Sequence, residues 1–146
     1  TRVAVWLVGL LVLLAAAWVA AYLGKSASDG LSGIGASELT LMAASMLPPL
    51  VVIGGVAFLA SSGTSLISRA VGLATGFTVA SYFLNFASLI WEPMEPLGPF
   101  SIFHYAEPAG WATKGVAWGD AVSLLVVGAL LVVIAVVVVE GRDIAA

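Results

Sequence analysis

The chain contains four apolar runs, each about 20 residues long, the length that a helix needs to cross the hydrocarbon core of a bilayer. The runs cover residues 3–23, 39–60, 71–90 and 121–139. The chain of 146 residues is 62% hydrophobic and only 9% charged, far from the composition of a soluble domain. The sequence therefore predicts an all-α fold, a polytopic bundle of four transmembrane helices that form a single domain over residues 1–146.

The first two runs each contain a feature that competes with a simple membrane span. Residues 3–23 follow an arginine and end among small residues, as in a secretory signal peptide, but the run is longer than the apolar part of such a peptide, about 7–15 residues. The second run contains Pro-Pro at 48–49 and Gly-Gly at 54–55, which kink or break helices. Because carbonyl groups freed at a break need partners inside the membrane, we expect this helix to pack against its neighbours.

Charge and residue types exclude several classes of function. The net charge is −3 and the five basic residues are scattered singly, so the chain lacks the clustered cations that bind nucleic acid. Gly24-Lys25-Ser26 resembles the end of a phosphate-binding loop, but Val19 stands where that motif requires glycine. Cysteine is absent, and His104 has no second histidine or carboxylate at the spacing of a metal site or triad. We predict no catalytic residue, no metal and no cofactor.

The basic residues of the connections indicate an orientation in the membrane. With four spans they divide three to two between the sides, Arg2, Arg69 and Arg142 against Lys25 and Lys114. The side richer in basic residues is normally cytoplasmic. We therefore predict a multi-pass protein of the cell's inner (plasma) membrane, with both ends of this segment cytoplasmic and residues 91–120 outside.

The third run has polar side chains on one side and small residues on the other. At 100° per residue, hydroxyl and amide side chains share one face: Thr75, Thr78, Ser81, Tyr82, Asn85 and Ser88. The small residues Gly72, Gly76 and Ala80 share roughly the opposite face, which permits close approach of another helix. The polar face needs hydrogen-bond partners or water in hydrocarbon, so it forms either interhelical hydrogen bonds or the wall of a substrate path.

The long connection before the last run is unusually aromatic for a polar loop. Trp91, Trp111 and Trp118 are suited to headgroup depth, where tryptophan is enriched. The connection also contains prolines that prevent one continuous helix, at Pro93, Pro96, Pro99 and Pro108. The pattern predicts short interfacial or re-entrant helical pieces in residues 91–120.

Three features near the end of the chain carry a family resemblance. They are Pro99-Phe100, then Phe103-His104-Tyr105 with Pro108 shortly after, and a last apolar run that ends in Gly141-Arg142-Asp143-Ile144. This order is similar to the C-terminal region of ABC-2-type transporter permeases, in which an SPF-HY-x-x-P-like segment precedes the last span. Here the segment PFSIFHYAEP contains an insertion, and the tail has one arginine where the family has a basic cluster. Ser68-Arg69-Ala70 resembles the short cytoplasmic turn of the family.

The resemblance covers the whole chain, which aligns with the last four of the family's six helices. It implies that the chain is a fragment of a longer permease, whose first two helices and coupling helix lie upstream of Thr1. It implies the membrane subunit of an exporter that works by alternating access. The partners would be the lipid bilayer, a second permease subunit (homo- or heterodimer) and separate ATP-binding ABC subunits that hydrolyse ATP. The polar face of the third run would then line the substrate path.

The resemblance also implies that Phe100, Phe103, His104 and Tyr105 belong to an outer gate. The alternative function is a non-transporting structural or assembly subunit of a membrane complex. An intramembrane enzyme ranks third, because no buried carboxylate pair or histidine cluster falls within a run. The polar face is uncharged and suits lipids, drugs or glycans alike.

Overall fold

The computed structural model describes residues 8–9, 11–12, 15–16, 18–23, 33 and 35–143, without the side chains of residues 142 and 143. Within this part of the chain every regular element is helical, so the predicted all-α class is confirmed. The α-helices are α1 (Ala36–Ser45), α2 (Leu47–Gly63), α3 (Ile67–Ile90), α4 (Pro108–Lys114) and α5 (Trp118–Asp143). Two 3-10 helices, Glu92–Phe100 and Ile102–Tyr105, follow α3 and form what we call the 3-10 segment, residues 92–105.

Three helical stretches are long and apolar enough to cross a membrane, which supports the predicted membrane class. They are Ala36–Gly63, Ile67–Ile90 and Trp118–Gly141. Each begins a few residues before the apolar run predicted for it. The predicted first span, residues 3–23, lies largely outside the described residues, and the parts of it that are described are helical.

The second of the predicted runs is interrupted once. At Met46 the helical pattern breaks, and the Met46 N–H donates to the Ala43 carbonyl oxygen at 3.2 Å, a shorter-range bond than in an α-helix. Pro48 and Pro49 then occupy the first turn of α2, where a missing N–H removes no intrahelical bond. The interruption expected at the proline pair is therefore present, whereas α2 continues through the glycine pair at 54–55.

The chain divides into two compact units, the first composed of Thr1–Leu47 and Glu107–Ala117. In this unit α1 packs against α4, and the Trp18 indole N–H donates to Thr40 Oγ1 at 3.1 Å. Trp111 on α4 is only 5% exposed, so protein packing surrounds a side chain that the sequence alone assigned to the bilayer surface. Trp91 and Trp118, by contrast, are exposed.

The second unit, Pro48–Ala106 with Trp118–Ala146, contains the main apolar core. Its centre is a cluster of Val52 on α2, Leu124 on α5 and Ile102 on the second 3-10 helix, each no more than 8% exposed. Partly buried side chains surround the cluster, Ile53, Val56, Phe77, Phe103, Tyr105 and Leu131. The 3-10 segment thus supplies part of the core that the spanning helices share.

Candidate functional site

Part of the polar face of α3 packs within the second unit, whereas Thr75 and Tyr82 on the same face are exposed. Ala70 and Ser81 are buried, and Asn85 and Ser88 are half-buried. On the opposite side a Cβ added at Gly72 or Gly76 would meet no atom within 4 Å among the described residues. Among the described residues, the face formed by Gly72, Gly76 and Ala80 therefore has no close helix contact at its two glycines.

The chain reverses direction directly after α3. The Trp91 N–H caps the helix by donating to the Ala87 carbonyl oxygen at 2.9 Å, and the extended backbone of Trp91 leads into the first 3-10 helix. That helix packs along α3. Prolines at 93, 96 and 99 prevent an α-helix here, because each lacks the N–H that an i to i−4 bond requires. The short helical pieces predicted from the prolines are therefore present.

Gly98 allows the first 3-10 helix to lie directly against α3. Gly98 is buried, and a Cβ at this position would lie 3.1 Å from Ser88 Oγ and 3.4 Å from His104 Nδ1. Ser88 and Ser81 are seven residues apart, two helical turns, so they point in nearly the same direction from α3. One face of α3 therefore contacts the 3-10 segment at two levels.

The deeper contact is a hydrogen-bonded network around Ser81 and Ser101. The Ser101 hydroxyl donates to the Ser81 carbonyl oxygen at 2.6 Å, and the Ile102 N–H donates to Ser81 Oγ at 3.0 Å. Ser101 Oγ in turn accepts from the Phe103 N–H at 3.1 Å, which caps the second 3-10 helix. Ser81 and Ser101 are 6% and 0% exposed. The network therefore satisfies polar groups that have no access to water.

The four predicted gate residues divide into an inner and an outer pair. The Phe103 ring meets the Tyr82 ring edge-on, with centroids 5.9 Å apart, and the Tyr105 hydroxyl donates to the Pro99 carbonyl oxygen at 2.9 Å. Both side chains also contact the core cluster. Phe100 is 78% exposed, and His104 is exposed with its ring edge-on to Tyr105.

The remaining candidate path residues have local partners or face a shallow cleft. The Thr78 hydroxyl donates to the Ala74 carbonyl oxygen at 2.8 Å, and the Ser88 hydroxyl donates to that of Asn85 at 2.7 Å. Thr75 lines a mainly apolar cleft of about 280 Å³ between α2 and α3. The polar face is therefore no continuous open wall along the described α3.

An open depression of about 530 Å³ lies where α3 ends. Glu92, Glu95 and His104 contribute polar groups to it, beside Ser88 and Trp91. Glu92 and Glu95 fall on one side of the first 3-10 helix because that helix has about three residues per turn. Among the residues that the structure describes, no three His, Cys, Asp or Glu side chains are grouped so that they could hold a metal ion.

Residues that sequence reasoning missed define the site as much as those it named. Ser101 and Gly98 make the contacts with α3, yet a lone serine and glycine in a proline-rich connection carry no periodic signal. The available clue was Ser101 directly before an aromatic 3-10 sequence, since serine is a favoured N-cap residue. No protein-family model matches the chain, and no match was found among curated proteins or solved structures.

Proposed function

We propose that this chain is the C-terminal membrane-spanning part of an ABC-2-type permease, a subunit of an exporter that forms the substrate path and is driven by separate ATP-binding subunits. In this proposal residues 3–23 form a first span, so that four spans carry both ends of the segment on the cytoplasmic side. A second permease subunit completes the path. The chain itself has no chemical step to catalyse, and its contribution is to change shape.

The observation that carries the proposal is the position of the second 3-10 helix. Ile102 packs between Val52 of α2 and Leu124 of α5, while its main-chain N–H is bonded to Ser81 of α3. A segment held by three helices at once must move or detach when those helices tilt relative to one another. This is the property required of an outer gate.

The depth of the contact supports a re-entrant segment rather than one that lies on the membrane surface. Ser81 lies nine residues before Ile90, the last residue of α3. At the helical rise of about 1.5 Å per residue, the Ser81 contact is about 13 Å along α3 from that end. A connection that returns this far is expected to enter the outer half of the bilayer, where its backbone groups need protein partners.

The alternative, a structural or assembly subunit, has one observation in its favour. The hydroxyl groups of Thr78 and Ser88 are satisfied by carbonyl oxygens of their own helix. A helix satisfied in this way needs neither water nor substrate along its polar face. In that case the 3-10 segment would only stabilise the bundle and would not move.

Co-purification with an ATP-binding subunit tests the proposal. The full polypeptide is expressed together with candidate ATP-binding ABC subunits, purified through its own tag, and assayed for ATP hydrolysis. We expect the ATPase to co-purify and Phe103→Ala to change its rate. Phe100→Ala is the matched control, because this phenylalanine three residues away is 78% exposed. Purification of the intact chain with no associated ATPase would favour the alternative that it is a structural or assembly subunit.

A further inference from the structure

We propose that Ser81 and Ser101 form a releasable latch that holds the 3-10 segment inside the bundle and opens only toward outside water. The inference rests on the proposed function in one respect, that the segment moves as a gate. It adds the site at which the segment is held and the condition under which it is released.

The Ser81 hydroxyl is bonded differently from other hydroxyls on the described helices. Most of these donate to a carbonyl oxygen three or four residues earlier in their own helix: Thr40, Ser45, Ser62, Thr78, Ser88, Thr113 and Ser123. Ser81 Oγ instead accepts from the Ile102 N–H at 3.0 Å and lies 3.4 Å from Ser101 Oγ. The Ser81 hydroxyl group therefore contacts the 3-10 segment.

The α3 side of the latch can be satisfied without the segment. If the segment left, the Ser81 hydroxyl could rotate and donate to a carbonyl oxygen one turn earlier, the same bond that Thr78 and Ser88 make on this helix. The Ser81 carbonyl oxygen would keep its ordinary place in the helix. Release therefore leaves no unsatisfied donor on α3.

The segment side of the latch cannot be satisfied in the same way. Release frees the Ser101 hydroxyl and the Ile102 N–H, two donors whose acceptors are both atoms of Ser81. A donor without an acceptor is unfavourable in hydrocarbon, so both groups must reach water. The latch therefore stays closed while the outer half of the bundle is dry, and it opens only when water reaches the depth of Ser81.

The contact one level above the latch gives little resistance to opening. Gly98 touches Ser88 through van der Waals contact, and the Ser88 hydroxyl is already bonded within α3. The first 3-10 helix can therefore separate from Ser88 without breaking a hydrogen bond to that side chain. The two serines thus set the hydrogen-bond contribution that holds the segment on this face.

Thiol labelling tests the latch in the full chain, in membrane vesicles and without any ATPase. The sequence contains no cysteine, so a single cysteine can be introduced without background. Ala106→Cys is the reporter, because Ala106 follows the 3-10 segment, is 8% exposed and is close to cysteine in size. Its reaction with a water-soluble maleimide is compared in two backgrounds, Ser81→Thr and Ser81→Val. These variants add the same bulk and differ only in the hydroxyl.

We expect the valine background to react roughly fivefold faster than the threonine background, the factor for loss of one hydrogen bond of ordinary strength. Ser68→Val, exposed near the start of α3 and outside the latch, should leave the rate unchanged. Equal rates in the two Ser81 backgrounds would overturn the latch, whether both are slow or both are fast. Such a failure would leave the ATPase co-purification unaffected, so the latch and the permease proposal fail separately.

A disulfide test covers the case in which substitutions at Ser81 impair folding. The Oγ atoms of Ser81 and Ser101 are 3.4 Å apart, so Ser81→Cys with Ser101→Cys should form a disulfide on mild oxidation. The control pair, Thr75→Cys with Ser101→Cys, should not. Oxidation protects paired thiols from a polyethylene-glycol maleimide, which reports the bond as a missing mass shift. Equal protection in the two pairs, or none in either, would contradict the docked latch.

Discussion

Gly55 on α2 and Gly128 on α5 lie at a close approach of two spanning helices, since a Cβ added to Gly55 would lie only 2.9 Å from the Gly128 carbonyl oxygen. The relation holds in the other direction, because a Cβ on Gly128 would lie 2.7 Å from Val51 Cγ1 and 3.0 Å from the Val51 carbonyl carbon. Real side chains do not tolerate such distances to main-chain atoms. The two glycines therefore permit a helix crossing that no other residue would allow without rearrangement.

Alanine substitutions should change stability in opposite directions at the two pairs of glycines. Gly128→Ala and Gly55→Ala should each lower stability by about 1–3 kcal/mol, the usual effect of overpacking. Gly72→Ala and Gly76→Ala are the controls, because a Cβ there meets no described atom within 4 Å. They should be neutral or stabilising by up to about 1 kcal/mol, since alanine is the better helix former.

The measurement for both pairs is the thermal unfolding midpoint of the purified chain in detergent. A lower midpoint for Gly72→Ala together with an unchanged one for Gly128→Ala would contradict a close helix contact at Gly55 and Gly128.

We expect the face of α3 formed by Gly72, Gly76 and Ala80 to contribute to association with another subunit rather than to the fold of one chain. Gly72→Leu and Gly76→Leu add bulk to a face that is exposed in the described structure. We expect the variants to weaken association with a second permease subunit while the chain itself stays folded. Crosslinking or native mass in lipid nanodiscs measures this. Unchanged assembly in both variants would mean that this face contacts only lipid.

The orientation in the membrane is tested by two exposed basic residues, Arg69 and Lys114. In the cysteine-free background, Lys114→Cys in intact cells should react with a membrane-impermeant thiol reagent. Arg69→Cys should react only after permeabilisation, because the positive-inside rule assigns it to the cytoplasm. The opposite pattern would reverse the topology and place the 3-10 segment on the cytoplasmic side.

The inner gate residues should affect activity more than the outer ones. Tyr105→Phe removes the hydroxyl that donates to the Pro99 carbonyl oxygen, so it should loosen the 3-10 segment by about 1 kcal/mol. Phe103→Ala also removes core packing and should alter transport-coupled ATP hydrolysis more strongly. His104→Ala should be milder, since this side chain is exposed and its ring meets that of Tyr105 edge-on. Loss of activity in His104→Ala, with Phe103→Ala silent, would instead assign His104 a proton- or ligand-binding role.

The pattern of apolar residues was sufficient to predict the described spanning helices but not to predict which residues make the contacts between them. Long runs predict spans well because bilayer thickness sets a minimum length, and the described spans coincide with three of the four runs. The same pattern predicts a close contact at Gly72 and Gly76, where a Cβ would meet no described atom within 4 Å. Small residues four apart look alike in sequence whether they face protein or lipid. Gly128 lies in a valine- and leucine-rich helix with no glycine or alanine three or four residues away, so the spacing of small residues does not mark it as a contact.

The polar face of α3 illustrates what sequence can and cannot resolve. The spacing of Ser81, Asn85 and Ser88 among apolar residues predicts one polar side, and these three side chains are buried or half-buried, whereas Tyr82 on that side is exposed. The partner of Ser81 was not predictable, because Ser101 is twenty residues away in a connection of 3-10 helices whose conformation depends on tertiary contacts.

ATP-driven movement of the 3-10 segment distinguishes a permease from a subunit that only packs. The test compares maleimide labelling of Ala106→Cys in the proposed complex with ATP-binding subunits, without nucleotide and with ATP plus vanadate. Glu95→Cys, exposed on the same segment, is the reference for general reactivity. We predict that the rate at Ala106→Cys changes several-fold between the two states while the rate at Glu95→Cys stays constant. The same Ala106→Cys rate in both states, in a complex that hydrolyses ATP, would contradict a moving outer gate.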